Sequence, residues 1–583
     1  MGVLGINAYA HNAAAVVYDR EGTVGAEQER FDHKRRSGAF PIDVLRDVIL
    51  PITDRNAIKA VAFPWKPLRF LRTYLRLCCN DLPRSLSLIH PRACPHLNVA
   101  SGVRFLRLRS ELARALGVAR APVRFVEHHL AHASNAFFSS DFDRALVLVA
   151  DGFGDTCSLS LYLGEKDGLS LIARNSLLDS LGILYACVTQ HLGFRTLHDE
   201  GKVMALSAYG DDSLEREFAR IVQCLPGGRY RFDFSYLNYN SSGERRPFSE
   251  KFERAFGPAR APGEPLGARH YNLAKALQRT VERVIVHVVR YAADAHRVDR
   301  LCFSGGVALN CVLNGRLVSD TGLRSIFVPP APDDSGAALG AAQAVAHLEL
   351  GWPRYTLDSA ALGPEYTVGR IGAALRGEQC EISEPPDAAE KVAELLAKGC
   401  VVGWFQGRME YGPRALGQRS ILADPRRRDI QQVLNGMKRR EAFRPFALAI
   451  LSEHVHEVVR PALPSPYMGF AGVVRREMRA SIPGAVHVDG SVRFQTVEPA
   501  AGSLRLRAVV EAFYRRTGIP CVVNTSLNCQ MPIAATPEDA LACFHAAGLD
   551  AICLGPYLVQ RGPERPRHDE SSALAATARA VPR

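Results

Sequence analysis

The sequence predicts a mixed α/β protein of two domains, the first built from two similar halves. Three observations lead there. The chain has 583 residues, too many for one hydrophobic core and suited to about two to four domains. Two stretches, one at the start and one near residue 150, each set a turn of small residues between apolar, strand-like runs. Past a proline- and glycine-rich break at 351–368 the chain changes character, and arginines gather in glycine-marked turns.

Composition narrows the class. With 47% hydrophobic and 23% charged residues, the chain is an ordinary soluble globular protein. A net charge of +12 points to anionic ligands or partners, either nucleic acid or phosphorylated small molecules. No apolar run approaches the roughly 18 residues of a membrane span. The start, MGVLGINAYAHNAAAVVYD, reads as strand and turn, not as a signal peptide, so a cytoplasmic protein is expected. Fourteen cysteines without a CxxC pair read as free, mostly buried thiols.

Residues 2–30 predict a strand, a turn carrying His11, and a second strand. Backbone amides in such a turn can approach a phosphate, although a hairpin with an incidental histidine reads equally well. The mixed-charge run AEQERFDHKRRSGAFP that follows predicts a solvated loop. AIKAVAFP predicts a strand. In PLRFLRTYLRLCC and GVRFLRLRSELARALG, arginines at helical spacing predict a solvated face opposite a core face, with nucleic acid or a membrane surface as the alternatives.

The stretch Glu127–Asp155 reads as a helix, then the strand Ala145–Ala150, then a glycine-rich turn. His128 and His132 stand four residues apart, so both imidazoles leave one helix face at the spacing of two ligands to one metal. Two histidines packed on a helix is the plain alternative. Asp151, at the strand's carboxyl end, makes a third ligand, the count of a catalytic metal with open positions. The turn DGFGD between two apolar runs repeats the first hairpin. In the actin, hexokinase and Hsp70 superfamily two similar halves each offer such a phosphate-facing turn.

Farther on, Glu200, Gly201 and Lys202 suit a ligand-facing loop or an exposed salt-bridged turn. A helix over Asn272–Ala295 precedes the strand LCFSG, and Ser304, Gly305 and Gly306 turn into the helix VALNCVLNGRL, whose N-terminus can accept a phosphate or support an adenine-ribose. After the strand SIFVPP, Asp333 or Asp334 caps a glycine-rich helix. Asp334 can also complete the shell begun by His128, His132 and Asp151. Beyond the break come a helix over Ala388–Lys398 and then Arg408, Arg414, Arg419, Lys438 and Arg444 on turns marked by Gly407, Gly412 and Gly417. The arginines' forked donors suit phosphate or carboxylate, or the group forms a basic face without special function. Arg493 falls in an alternating strand, and Asn524, Thr525 and Ser526 follow a buried strand. After Arg561 the chain predicts a disordered Ala/Ser-rich tail.

Taken together, the AYAH turn, ERF, HHLAH, DGFGD, EGKVMALSAYG, SGGVALNC, PDDSGAALGAA, LGPEYT, GRMEYGPRALGQRSILADPR, MKRREAFRPFA, DGSVRFQTV and NTSLN resemble, in order, the NodU/CmcH-type O-carbamoyltransferases. The resemblance implies an ASKHA-type (actin/hexokinase-like) domain over 1–350, a linker over 351–370, a YrdC-like domain over 371–563 and a tail over 564–583. It implies that the YrdC-like domain converts carbamoyl phosphate and ATP, with Mg(II), to carbamoyl-adenylate and pyrophosphate. The first domain then passes the carbamoyl group to a hydroxyl of a secondary metabolite and releases AMP. Lys438, Arg444 and Arg493 match the family's anion-binding positions, and His11 matches a histidine at its transfer site. His128, His132, Asp151 and Asp334 would hold a divalent metal, Fe(II) by the same resemblance. Gly152, Gly154, Lys202, Ser304, Gly305, Gly306, Asn310, Arg414, Arg419, Asn524, Thr525 and Ser526 fall where nucleotide or carbamoyl-adenylate is bound. No nucleic-acid partner is expected.

Two departures stand out. The family usually has His-Asp where this chain has His11-Asn12, and many relatives carry Gly-Glu where this chain runs Asn528, Cys529, Gln530, Met531. The rival readings are a tRNA threonylcarbamoyladenosine-type enzyme and an inactive nucleotide- or metal-binding scaffold. Maturation-type carbamoyltransferases would add zinc-finger CxxC pairs, which this sequence does not have.

Overall fold

Buried apolar runs become the strands of three large sheets in a mixed α/β architecture. The structure, a computed structural model, describes residues 2–79, 85, 104–105, 107–116, 121–166, 168–242, 246–499 and 502–562. The tail expected over 564–583 lies outside the described residues.

The first sheet contains β1 (Gly2–Asn7), β2 (Ala14–Asp19), β3 (Thr23–Glu27), β4 (Ile58–Phe63) and β5 (Val123–Phe125), in the order β3-β2-β1-β4-β5. β2 runs antiparallel to β1 and β3 to β2, whereas β4 is parallel to β1 and β5 to β4. The expected two-strand hairpin is thus three strands, because the segment after Asp19 folds back as a further strand. The ERF segment is not a solvated loop either. Glu27 and Arg30 are buried, and each bonds to the backbone of Gly412 far along the chain.

β6 (Arg144–Ala150), β7 (Cys157–Glu165) and β8 (Gly168–Ser176) begin the second sheet. A separate hairpin of β9 (Val222–Leu225) and β10 (Arg229–Phe232) intervenes before β11 (Arg300–Ser304) and β12 (Ser325–Phe327) complete it, in the order β12-β11-β6-β7-β8. Its pairing repeats that of the first sheet. β6 has two successive antiparallel neighbours on one side and two parallel ones on the other.

Two helices lie back to back between these sheets. Asp334–Ala344 packs on β1 and β2, and His128–Ser139 packs on β6 and β11. All eleven residues of the former are buried, as expected of a helix covered all round. The helices approach so closely that a Cβ on Gly340 would lie 1.8 Å from the carbonyl oxygen of Ala131. Glycine there lets the two helices pack backbone to backbone, and the side chains of their first residues, Asp334 and His128, meet next to the end of β6.

The C-terminal region forms one ten-stranded sheet from β13 (Glu381–Ser383), β14 (Val402–Phe405), β15 (Arg419–Ala423), β16 (Ala447–Leu451), β17 (Val459–Arg460), β18 (Phe470–Val474), β19 (Ser491–Val497), β20 (Cys521–Ser526), β21 (Ala551–Leu554) and β22 (Tyr557–Gln560). The order is β13-β22-β21-β14-β15-β20-β16-β19-β18-β17. The helices Ala388–Ala397 and Leu504–Thr517 pack against each other beside it.

The break after residue 350 has neither helix nor strand up to Thr367, yet it is tied down on both sides. Gly25 N–H donates to the Leu362 carbonyl at 3.0 Å, and Tyr467 Oη to that of Leu357 at 2.7 Å. Elsewhere Asn314 Nδ2 reaches the Gly469 carbonyl at 2.9 Å, Arg414 that of Leu309 at 2.9 Å, and Lys202 pairs with Glu441 at 2.6 Å. Four local expectations change. Glu200, Gly201 and Lys202 begin the helix Glu200–Leu206 and form no loop. Arg419 belongs to β15, not a turn, and Asn524 to Ser526 end β20 instead of following it. The helix expected at Asn272–Ala295 runs from Ala268 to His296. Among the described residues no helix is long and apolar enough to cross a membrane.

Candidate functional site

The two interior helices and β6 deliver four side chains to one point. His128 opens the helix His128–Ser139 and His132 lies one turn on. Asp334 opens the facing helix, and Asp151 immediately follows β6. All four are buried, and one donor atom from each lies within 4.8 Å of the others. His132 Nε2 is 3.1 Å from Asp151 Oδ2 and 3.5 Å from Asp334 Oδ1, while His128 Nε2 is 3.6 Å and 3.5 Å from the same oxygens.

The surroundings fix which atoms face inward. His128 Nδ1 is 3.0 Å from the Pro64 carbonyl oxygen, so this nitrogen carries the proton and Nε2 is left for the centre. His132 Nδ1 donates to Ser304 Oγ at 3.3 Å, and Ser304 donates in turn to the Pro332 carbonyl. This outer support is what metal-ligating histidines use to hold their rings. Trp65 stacks on the His128 ring with centroids 3.8 Å apart. Asp155 caps the helix by accepting the backbone N–H of His128.

These residues fit a divalent ion. Asp151 Oδ2 is buried without a hydrogen-bond partner, and the two Nε2 atoms face each other at 3.2 Å. Two imidazoles and two carboxylates suit iron, manganese or zinc. With no ion, burial lowers the affinity of both imidazoles for protons, but Asp334 and Asp151 together outweigh it and hold His128 well above 6.5 and His132 above it. Burial raises both carboxyls, yet the imidazoles bring Asp151 far below the usual carboxylate range, while His11 and His128 lower Asp334.

The sign of the linkage follows. In the ion-free protein the raised imidazoles stabilise the fold fully below pH 6.5 and lose that contribution as pH rises through their raised values. The depressed aspartates contribute above pH 3.8 and lose it as pH falls through their lowered values. An ion must displace the imidazole protons, so ferrous-ion affinity is expected to rise from pH 6 to pH 8, by about tenfold per proton displaced per pH unit. Anaerobic titration with ferrous ion at the two pH values checks this. Equal affinity at both would place the ion elsewhere.

A cavity of about 600 Å³ opens onto this cluster. His11, Asn12, Asp151, Gly152, Gly306, Asn310 and Asp334 line it at one end. His11 lies on the turn between β1 and β2, with Nδ1 3.6 Å from Asp334 Oδ2. Arg414, Arg444, Arg493, Asn524, Thr525 and Ser526 line the same cavity on its C-terminal side. A second cavity of about 430 Å³ adjoins it, lined by Arg36, Lys202, Lys438, Arg440 and Arg444 among others.

Here cations outnumber their partners. The Lys438 ammonium donates to the carbonyls of Ser526 and Asn528 and to Asn528 Oδ1, all neutral acceptors. Burial, then Arg440, pushes Lys438 well below its ordinary value, and burial with Arg444 brings Arg440 down to about 9. Glu441 is 3.7 Å from Arg444 but also pairs with Lys202. Such a crowd of buried positive charge favours a polyanion.

Several sequence candidates stand apart from these cavities. Arg419 is fully buried with its guanidinium on the carbonyls of Gln406, Gly407 and Gln418 and over the Phe405 ring. Its terminal nitrogens are taken up by carbonyls of the loops beside β14 and β15, Nε has no hydrogen-bond partner, and the residue lines neither of the two cavities. Ser304 supports His132, and a Cβ on Gly305 would meet the Ala150 carbonyl oxygen at 2.3 Å. Gly154 abuts the His129 ring. All three glycine-turn residues therefore shape the site from behind. Trp65, Asp155 and Arg440 escaped sequence reasoning. The second aspartate of DGFGD and the second arginine of MKRREAF were the visible signals.

Comparison with known proteins agrees with the expected resemblance. Sequence models described as the carbamoyltransferase N-terminus and C-terminus match residues 2–343 and 393–561. The nodulation protein NolNO of Sinorhizobium fredii is 34% identical over 98% of this chain and 82% of its own. NolO of Bradyrhizobium diazoefficiens is 36% identical over 78% and 81%. An uncharacterized Synechocystis protein is 33% identical over 97% and 98%. Among solved structures, HypF of T. kodakarensis matches at 14% identity and a TM-score of 0.32, over 60% of this chain and 48% of that one. The chain belongs to the carbamoyltransferase family. It is a carbamoyltransferase whose relatives include nodulation proteins.

Proposed function

We propose that the protein is an ATP-dependent, cytoplasmic O-carbamoyltransferase that makes carbamoyl-adenylate at its cation cluster and transfers the carbamoyl group to a hydroxyl of a natural product at its His/Asp cluster. The observation that carries this is the single cavity lined by His11, Asp151 and Asp334 on one side and Arg444, Arg493 and Ser526 on the other. The first domain is read as ASKHA-type, with support from the matched strand order and pairing of its two sheets. Residues 371–563 are read as the YrdC-like domain and 351–370 as the linker.

On this reading, carbamoyl phosphate is hydrolysed to carbamate and phosphate. A carbamate oxygen attacks the α-phosphorus of ATP and pyrophosphate leaves. Lys438, Arg444 and Arg493 offset the charge that would otherwise keep the two anions apart. Adenylation is needed because carbamate is a poor electrophile, and AMP is a far better leaving group than oxide. At the other end the acceptor hydroxyl attacks the carbamoyl carbon, the C–O bond to AMP breaks, and His11 takes the hydroxyl proton. Asp334, 3.6 Å from His11 Nδ1, is placed to stabilise the imidazolium so formed. Gly152, Gly306, Asn310, Asn524 and Thr525 line the space between and are read as adenylate contacts, with Arg414 beside them. A divalent ion, Fe(II) by resemblance, would be held by His128, His132, Asp151 and Asp334 and would supply Lewis acidity toward the intermediate.

The test needs no acceptor. Protein given ATP, magnesium, ferrous iron and carbamoyl phosphate without oxygen is expected to release pyrophosphate, followed by phosphorus NMR, only when carbamoyl phosphate is present. Its absence from folded, iron-loaded protein would sink the adenylation reading and turn attention to tRNA binding.

A further inference from the structure

One polar atom in the cavity wall has no use in the chemistry above. Asn12 is 8% exposed and lines both cavities, and its Oδ1 is buried without a hydrogen-bond partner. Its Nδ2 donates to Asp333 Oδ2 at 2.8 Å. The other oxygen of Asp333 accepts the backbone N–H of Ser335 at 3.1 Å and its hydroxyl at 2.6 Å. A carboxylate already taking two donors at the cap of a helix can only accept, so the amide must turn its NH₂ to Asp333 and its carbonyl away.

The backbone holds this orientation. Asn12 has φ +51°, in the left-handed region that asparagine tolerates better than most residues. Asn7 Nδ2 ties down the carbonyls of His11 at 3.0 Å and Asn12 at 3.1 Å, and Trp65 Nε1 holds Asn7 Oδ1 at 3.3 Å. A fixed, buried acceptor beside a reactive cavity is costly unless a ligand supplies its donor.

We infer that Asn12 Oδ1 accepts a hydrogen bond from the amino group of the carbamoyl moiety and makes the site selective for carbamoyl over acyl groups of the same shape. The inference rests on the proposed carbamoyl-adenylate. The acceptor hydroxyl is the poorer candidate, because its one hydrogen must go to the base during attack. The carbamoyl NH₂ has two hydrogens that no step consumes. That group is also all that distinguishes carbamoyl from acetyl, where a methyl would leave Oδ1 unpaired.

Calorimetric binding of two stable adenylate mimics to iron-loaded protein tests it: 5′-O-(N-carbamoylsulfamoyl)adenosine and its N-acetyl counterpart. The wild type is expected to bind the carbamoyl compound about tenfold more tightly. Asn12→Gly, which keeps the positive φ open, should lose that preference and bind the acetyl compound as the wild type does. Equal affinity of the wild type for both compounds overturns the inference and leaves the adenylate reading intact. An equal loss for both compounds in Asn12→Gly also overturns it, since Asn12 would then act only through Asp333. Binding of neither compound by the wild type overturns the adenylate reading together with the inference.

Discussion

Replacing His128 with alanine is expected to lower carbamoyl transfer by about 10³-fold and leave carbamoyl-phosphate-dependent pyrophosphate release within about threefold of wild type. The imidazole stands 3.5 Å and 3.6 Å from the two carboxylates. Without it, Asp151 and Asp334 face each other across one remaining histidine, and the set that would hold a divalent ion loses one of its four ligands. Trp65 also loses its stacking partner, so a stability cost of about 2 kcal/mol accompanies the change. The cation cluster draws on Arg36, on residues from 438 to 528 and on the short helix at Glu200, and His128 does not line its cavity. Iron content, AMP release and pyrophosphate release, measured on one preparation, separate these effects. If a folded His128→Ala protein made no pyrophosphate, the assignment of two half-reactions to two sites would fall.

The opposite pattern is expected for Arg444→Ala. Pyrophosphate release should drop by about 10²- to 10³-fold, as when a preorganised donor to developing charge is removed. Iron content and AMP release from supplied carbamoyl-adenylate should persist. Lysine should restore little, since a point charge does not reproduce a two-pronged guanidinium contact. Stability offers a second readout. Arg444 helps to depress Arg440 and Lys438, so removing it relieves like-charge crowding in the ligand-free protein, and the melting temperature should hold or rise. A variant that lost transfer and adenylation together would place Arg444 in both steps or in neither.

Much of this was visible in the residues. The HxxxH spacing needed only a helix to converge, and the helix is there. The strand before Asp151 was equally plain from its continuous apolar run. Asp333 and Asp334 were harder, since either could cap. The structure divides the labour, with Asp333 capping through Ser335 and Asp334 turned to the histidines. Arg419 shows where reading stops. A guanidinium in a glycine-rich stretch looks like an anion site, and whether its donors meet a ligand or carbonyls of the loops beside its strand depends on tertiary packing that residue type does not encode. Arg30 makes the same point, since a charge run reads as solvated until a distant turn arrives to cover it. The departure at Asn12 also gains a physical account. Its NH₂ sits 2.8 Å from Asp333, where a carboxylate would bring two like charges together.

The contacts that join the two halves bear on how an intermediate gets from one end to the other. Glu27 Oε1 accepts the Gly412 N–H, and Arg30 donates to the Gly412 carbonyl at 2.6 Å, so one buried ion pair grips one residue through both of its backbone polar groups. At Gly412, φ is +110° and a Cβ would come 2.3 Å from the Pro330 carbonyl oxygen. At Gly315 a Cβ would come 2.0 Å from that of Ala471. Backbone meets backbone with no side chain between to slide or rotate. Pulling the halves apart would break both hydrogen bonds between these charged side chains and Gly412, at about 1.5–3 kcal/mol each. A swinging arm is therefore the wrong picture for the proposed reaction. On the proposed reaction, the passage would be built before any substrate arrives, and the interval between the two chemical steps would be the time one small molecule takes to turn and drift along its walls.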